Sequence, residues 1–236
     1  MTAFLYGVAL QWKLDIRSKS LLITCYVVPL LFFAIMGGIF TSINPQAKDT
    51  LIQSMTVMGV SMGALLGLPP SLVEIYGSDI KKVYKANGVP LFLGMATMYI
   101  SAFIHLLIMS AIICVIAPLV FNAALLSNIP LYFAFLAVFI ATSLNIGGIL
   151  GLTIKNQAKL NMISQLIFLP SIMLSGIMFP ANLLPSALGI VGKLFPAAWG
   201  YRLVTVGGTG NLWPLLGIFT AAAAVCGFLL HKMKSK

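Results

Sequence analysis

Long apolar runs alternate with short polar breaks along the whole chain. Runs at about residues 21–43, 51–73, 91–117, 131–154, 160–179 and 213–230 each approach the length that crosses a hydrocarbon core of about 30 Å at about 1.5 Å rise per residue. This pattern predicts an all-α polytopic membrane protein with six transmembrane helices in a single transmembrane domain. Before the first run, residues 1–20 set Phe4, Leu5, Val8, Trp12 and Ile16 at roughly helical spacing, with Lys13, Asp15, Arg17 and Lys19 on other faces. That spacing predicts an N-terminal amphipathic interfacial helix. A disordered basic leader is the other reading of the same stretch.

Within the runs, small and polar residues mark packing faces. The second run carries Gly59, Gly63 and Gly67, a small-xxx-small stripe that admits close helix approach, either inside the chain or between subunits. Pro69 and Pro70 near its end remove backbone donors and should kink or stop the helix. The fourth run holds Thr142, Ser143 and Asn145 beside Gly147, Gly148 and Gly151. His105 lies mid-run among Ile104, Leu106 and Leu107, which favours a hydrogen bond to a neighbouring helix over a proton relay. Cys25, Cys114 and Cys226 all sit in apolar runs without metal-ligand spacing, so they read as small core residues.

Composition agrees with the pattern. The 236 residues are 60% hydrophobic and 8% charged with a mean hydropathy of +1.06, so the bilayer is the solvent for most of the chain. The formal charge of +10 comes from basic residues in short loops, where they set orientation and meet anionic headgroups; nucleic acid is not expected as a partner. With six spans, both termini share a side. Lys13, Arg17, Lys19, Lys81, Lys82, Lys85, Lys155, Lys159, Lys232, Lys234 and Lys236 lie there, against Lys48, Lys193 and Arg202 opposite. The bias predicts cytoplasmic termini. It also places the stretch EIYGSDIKKVYKANGVP, residues 74–90, in the cytoplasm. Two of the chain's four acids fall in that one break.

Several chemistries are short of parts. Glu74 is the single glutamate and His105 and His231 the only histidines; there is no HExxH or GxSxG, so metal-dependent or acid/base catalysis in the membrane is not expected. No GxxxxGK[ST] phosphate loop is present, so ATP, if used, must bind another chain. A secondary transporter stays open as an alternative, because hydroxyl, amide and carbonyl oxygens can bind ions without acids. So does a non-transporting membrane anchor or sensor subunit.

From Ser164 the chain reads SQLIFLPSIMLSGIMFPANLLPSALGIVGKLFPAAWGYRLV. A run ending in Ser175, Gly176, Ile177, Met178, Phe179 and Pro180, followed by a proline-punctuated apolar segment, resembles the type-2 ABC exporter permeases, the membrane subunits of ATP-binding-cassette exporters of drugs, peptides and polysaccharides. The order Glu74, Gly77, Ile80 to Tyr84, Pro90 is similar to that family's charged first cytoplasmic loop. Ile75, Tyr76 and Ser78 depart from it where more charged residues are usual. No large outer domain separates the first two spans.

The resemblance implies a permease without its own ATPase site. It pairs with a second permease, identical or homologous, and with two ATPase subunits that carry ATP and Mg, in a prokaryotic cytoplasmic membrane. It implies that 74–90 forms a coupling helix, with Glu74, Gly77, Asp79, Lys81, Lys82, Tyr84, Lys85 and Pro90 as candidate ATPase-coupling residues; the lysines could also serve topology alone. Trp12, Lys13 and Arg17 mark the amphipathic helix resting beside it. Residues 180–210 would form re-entrant outer helices between spans 5 and 6, or a loop on headgroups, with Gly176, Phe179, Pro180, Pro185 and Pro196 at an outer gate. The pathway would lie between subunits. Asn161, Ser164, Gln165, Ser171 and Ser175 form a polar stripe on the fifth run, and Met55, Met58 and Met62 share a face of the second, where methionine also suits plain packing. The expected function is export of a hydrophobic or amphipathic substrate by alternating access.

Overall fold

A computed structural model of the chain describes residues 2–77, 84, 86, 90–178 and 184–234. The helices among them are α1 (Thr2–Arg17), α2 (Lys19–Leu22), α3 (Val28–Ile43), α4 (Leu51–Met62), α5 (Leu68–Tyr76), α6 (Leu91–Phe121), α7 (Ile129–Thr153), α8 (Gln157–Met173), α9 (Ser186–Gly192), α10 (Pro196–Thr205) and α11 (Thr209–Lys234). Among the described residues there is no strand. Two π turns, Ile23–Val27 and Gly63–Gly67, join α2 to α3 and α4 to α5 without a break in the helical path.

Among the described residues, five helical stretches are long and apolar enough to cross a membrane: Ile23–Ile43, Leu51–Tyr76, Leu91–Phe121, Ile129–Thr153 and Gly210–Met233. The protein is thus an all-α polytopic membrane protein. The sixth expected span corresponds to α8, which has 17 residues and stops at Met173, short of the expected 179. Pro170 lies inside its last turn, and the chain then turns through Gly176 at φ 92°, a backbone region that favours glycine. The third span runs on past its expected end at 117. Pro118 is accommodated within α6, and Asn122, at φ 51° and ψ 40°, closes the helix in the left-handed conformation that asparagine tolerates better than most residues.

Polar caps define the other ends. The Asn44 side chain accepts from the Gln46 amide, Asn128 from Leu131 and Asn156 from Lys159, at 2.9–3.0 Å, each satisfying a backbone donor that the first turn leaves open. The Ala124 amide donates to the Lys48 carbonyl at 3.0 Å, tying the α6–α7 connection to the loop between the first two spans.

The second span, Leu51–Tyr76, forms the middle of the bundle. Of its most apolar window 89% is buried, against 22% for Ile23–Ile43 and 17% for Gly210–Met233. Glycine permits this close packing. Gly59 faces Met109 and Pro29, Gly63 faces Leu106 and Cys25, and Gly67 faces Cys25 and Thr24. The stripe therefore serves packing within the chain. From the other side, Gly147 of α7 sits on the Ala64 carbonyl and Gly151 on Leu72 and the Pro69 carbonyl. α10 packs on α7 through Gly200, which lies on the Phe139 ring, and α11 lies along α7 at the periphery.

Candidate functional site

At the Glu74 end, α5 carries the second span out of the core. Glu74 is exposed while Leu72, Val73 and Tyr76 of the same helix are buried. Tyr76 Oη donates to the Leu91 carbonyl, and the Tyr84 ring lies beside Gly94. The chain is thereby held to the start of α6 on both sides of the intervening stretch. Gly77 ends α5 at φ −90°, ψ −12°, and a Cβ there would lie 2.6 Å from the Val73 carbonyl oxygen. Pro90 is the exposed, extended residue that precedes α6. Asp79, Lys81, Lys82 and Lys85 lie outside the described residues.

The amphipathic helix α1 packs along α6 and divides its faces differently from the sequence reading. Leu5, Tyr6, Leu10, Leu14 and Ile16 are outward and exposed, as are Lys13 and Arg17. Inward, Trp12 stacks on His105 with ring centroids 4.0 Å apart and planes 9° from parallel. Tyr26 Oη is 2.7 Å from His105 Nδ1, the interhelical bond expected of this histidine. Asp15 is 6% exposed. Its Oδ2 accepts from Ser101 Oγ at 2.5 Å and its Oδ1 from Gln11 Nε2 at 2.8 Å. Burial pushes the Asp15 carboxyl above its ordinary 3.8, against the opposing pull of those two bonds and of nearby His105.

Sequence reasoning missed this cluster. The available clue was the i, i+4 pair Gln11 and Asp15 flanking Trp12, combined with a histidine in the middle of an apolar run. The partner, 86 residues away, left no local trace.

The polar stripe of α8 divides. Asn161 and Gln165 are exposed beside Met162, Leu166 and Leu169, whereas Ser164, Ser171 and Ser175 are buried. The Ser175 hydroxyl donates to the Ile172 carbonyl at 2.7 Å and accepts from the Ile177 amide at 3.3 Å; it shapes the turn that follows the helix. Met55, Met58 and Met62 are 1%, 2% and 4% exposed and belong to the core of this single chain. They are brought together with one another but not with Asn161 and Gln165 on a common surface.

In the outer segment, α9 exposes Leu188, Ile190, Val191 and the following Leu194, while α10 buries Pro196, Ala197, Ala198, Leu203 and Val204. Trp199 Nε1 donates to the Lys193 carbonyl at 2.7 Å, bracing one short helix on the other, and Arg202 lies 5.7 Å from the Trp199 ring centre. Pro185 is exposed before α9 and Pro196 is buried at the first turn of α10. Phe179 and Pro180 are outside the described residues.

Two crevices open beside α5. One, of about 390 Å³, lies between the α2 region, α5 and the start of α8, and is lined by Ser18, Leu21, Thr24, Ser71, Glu74 and Gln157 among others. The second, of about 350 Å³, lies between the ends of α5, α7 and α11 and includes Lys155 and Lys232. Three helix C-termini converge on that second crevice, so its lysines complement carbonyl-rich ends.

Comparison with known proteins agrees with this architecture. The ABC-2 type transporter family model matches residues 2–207, from α1 to the end of α10. A comparison with curated proteins found no match.

Proposed function

The chain belongs to the ABC-2 type transporter family, the membrane permease component of an ABC transporter that works with an ATP-binding cassette ATPase, and from that premise we propose that it exports a hydrophobic or amphipathic substrate by alternating access. In this reading two such permeases, identical or homologous, pair with two ATPases that carry ATP and Mg. The complex sits in a prokaryotic cytoplasmic membrane with both permease termini in the cytoplasm.

One observation carries the mechanical part. The span that ends at exposed Glu74 is the most enclosed in the bundle, 89% buried over its apolar window, and it touches α3, α6, α7, α8 and α10. A force applied at residues 74–90 therefore acts on the element that packs against α3, α6, α7, α8 and α10. Because interiors are close-packed and yield in discrete rearrangements, such a push moves the bundle between alternative packings. Asp79, Lys81, Lys82, Tyr84 and Lys85 are the proposed contacts with the ATPase, with Glu74, Gly77 and Pro90 framing them and Trp12, Lys13 and Arg17 alongside. Lys13 and Arg17 are exposed for this role; Trp12 contributes by holding α1 to α6 through His105.

For the cargo side, Asn161 and Gln165 with neighbouring Met162, Leu166 and Leu169 form an exposed surface of mixed polarity, suited to a partner permease or an amphipathic substrate. Ser164, Ser171 and Ser175, and the methionines Met55, Met58 and Met62, would reach a pathway only in a state where the helices part. Gly176, Phe179, Pro180, Pro185 and Pro196 would form the outer closure, with α9 and α10 as re-entrant helices.

The test is co-purification with the ATPase. The Asp79→Ala/Lys82→Ala double variant should lose ATPase from the pulled-down complex while keeping wild-type expression and melting. Undiminished binding would remove these residues from the interface. A photocrosslinker at Gln165 should capture the second permease or substrate, and labelling of lipid alone would count against the pathway assignment.

A further inference from the structure

The contacts of Asp15 describe more than a structural tether. Asp15 is buried, 6% exposed, yet it sits beside a void. A cavity of about 10 Å³ is lined by Gln11, Asp15, Leu21, Cys25 and Ser71, among others. That volume is close to one water-sized sphere, and polar groups are at hand to hold such a water. Two of the residues that wall this void, Leu21 and Ser71, also line the open crevice of about 390 Å³ that carries Glu74 and Gln157. Leu21 and Ser71 thus border both the crevice and the void beside the buried acid.

We propose that Asp15 is a buried proton-binding site, reached by water from the Glu74 crevice past Leu21 and Ser71, whose charge state sets how firmly α1 is held to α6. This goes beyond the transport reading and does not depend on it.

The groups facing the site are few. From α1 itself comes Gln11, which donates to Oδ1. From α6 come Ser101, which donates to Oδ2, and His105, held by Trp12 and Tyr26. Cys25 lies across the void on the π turn, and Ser71 belongs to α5. Lys13 and Arg17 of α1 are exposed, and Glu74 lines the outer crevice. No second carboxylate lines the void among the described residues. When ionised, Asp15 accepts both hydrogen bonds, which favours the charged form; burial opposes it. Proton uptake removes the charge that both donors favour, so the Ser101 and Gln11 bonds to the carboxyl weaken.

The measurement is infrared difference spectroscopy of the full chain in lipid nanodiscs as a function of pH, read at the carbonyl stretch of protonated carboxylic acids. The assignment is tractable because the chain has only four Asp and Glu residues. The wild type should show a band that titrates above the ordinary aspartate range, is absent in Asp15→Asn and persists in Glu74→Gln. Ser101→Ala removes a bond to the carboxylate and should move the midpoint upward; Asp15→Glu, which keeps a carboxyl, should retain a titrating band. For the route, Ser71→Val should slow deuterium exchange on the band about tenfold and leave its midpoint near the wild-type value. A band that survives in Asp15→Asn, a midpoint in the ordinary range, or a Ser101→Ala midpoint that falls would overturn the site. Unchanged exchange in Ser71→Val would overturn the route.

Discussion

Replacing Gly151 by alanine tests the close contact between α7 and the second span. A Cβ at that position would lie 2.7 Å from Leu72 Cβ, 2.9 Å from the Pro69 carbonyl oxygen and 3.0 Å from Leu72 Cδ1. Carbon atoms rest about 3.5–4.0 Å apart, so the two helices must separate by roughly 0.8 Å or more. Rotating a side chain cannot relieve the contact, because a main-chain oxygen and a Cβ are among the atoms met. Overpacking of this kind costs about 1–3 kcal/mol, partly offset by the roughly 0.5–1 kcal/mol that alanine gains over glycine within a helix. Gly217 in α11 supplies the internal standard: it is helical and a Cβ there meets nothing within 4 Å, so Gly217→Ala keeps the gain without the clash. For a chain of this size each kcal/mol moves the melting point by about 2–4 °C. In scanning fluorimetry of the solubilised protein, Gly151→Ala should melt roughly 2–12 °C below Gly217→Ala. If Gly151→Ala melts at or above Gly217→Ala, the α5–α7 contact is not as close as described and the central placement of the second span loses its main support.

Three further outcomes can be measured on the same preparation. The folded Asp15 carboxyl binds its proton more tightly than the unfolded one, whose value is 3.8, so its contribution to stability is greatest in acid and is lost as pH rises from 3.8 through the folded value; melting points across that window should decline more steeply for wild type than for Asp15→Asn. Tyr26→Phe removes the 2.7 Å partner of His105 Nδ1 and should cost about 1–3 kcal/mol by leaving a buried ring nitrogen unsatisfied, seen as a lower melting point; an unchanged value would mean that water replaces the hydroxyl. Trp199→Phe breaks the bond to the Lys193 carbonyl and should raise amide hydrogen exchange across α9 while leaving α7 unaffected.

The spans were legible because their lengths are set by the bilayer and their composition by the lipid. Ile23–Ile43 and Leu51–Tyr76 fall within a few residues of the expected runs. Where the reading drifted, proline was the cause. Pro118 directly follows the expected end of the third run at 117, yet α6 continues to Phe121, as helices in lipid can when neighbours satisfy the freed carbonyl. Pro170 was passed over, yet α8 ends one turn later. The site was less legible because its parts meet through contacts distant in sequence. Helical spacing put Trp12 and Ile16 on one apolar face of α1, but Trp12 turns inward to His105 and Ile16 outward. The methionine face of the second span was visible in the sequence. That it would be enclosed by the chain's own helices depends on their packing order, which spacing does not encode.

The π turn Gly63–Gly67 has a consequence for how this chain tolerates insertions and deletions. One residue in an α-helix corresponds to about 100° of rotation, and a π turn closes one helical turn with an extra residue, so this turn absorbs a residue without rotating Leu68–Tyr76 against Leu51–Met62. Deleting a single residue there would let the turn close as ordinary α-helix and leave Leu72 facing Gly151 and Glu74 on nearly its present bearing. The same deletion within Leu51–Met62 or Leu68–Tyr76 would turn everything beyond it by about 100°. A one-residue deletion should therefore be easier to absorb in this turn than anywhere else along the span.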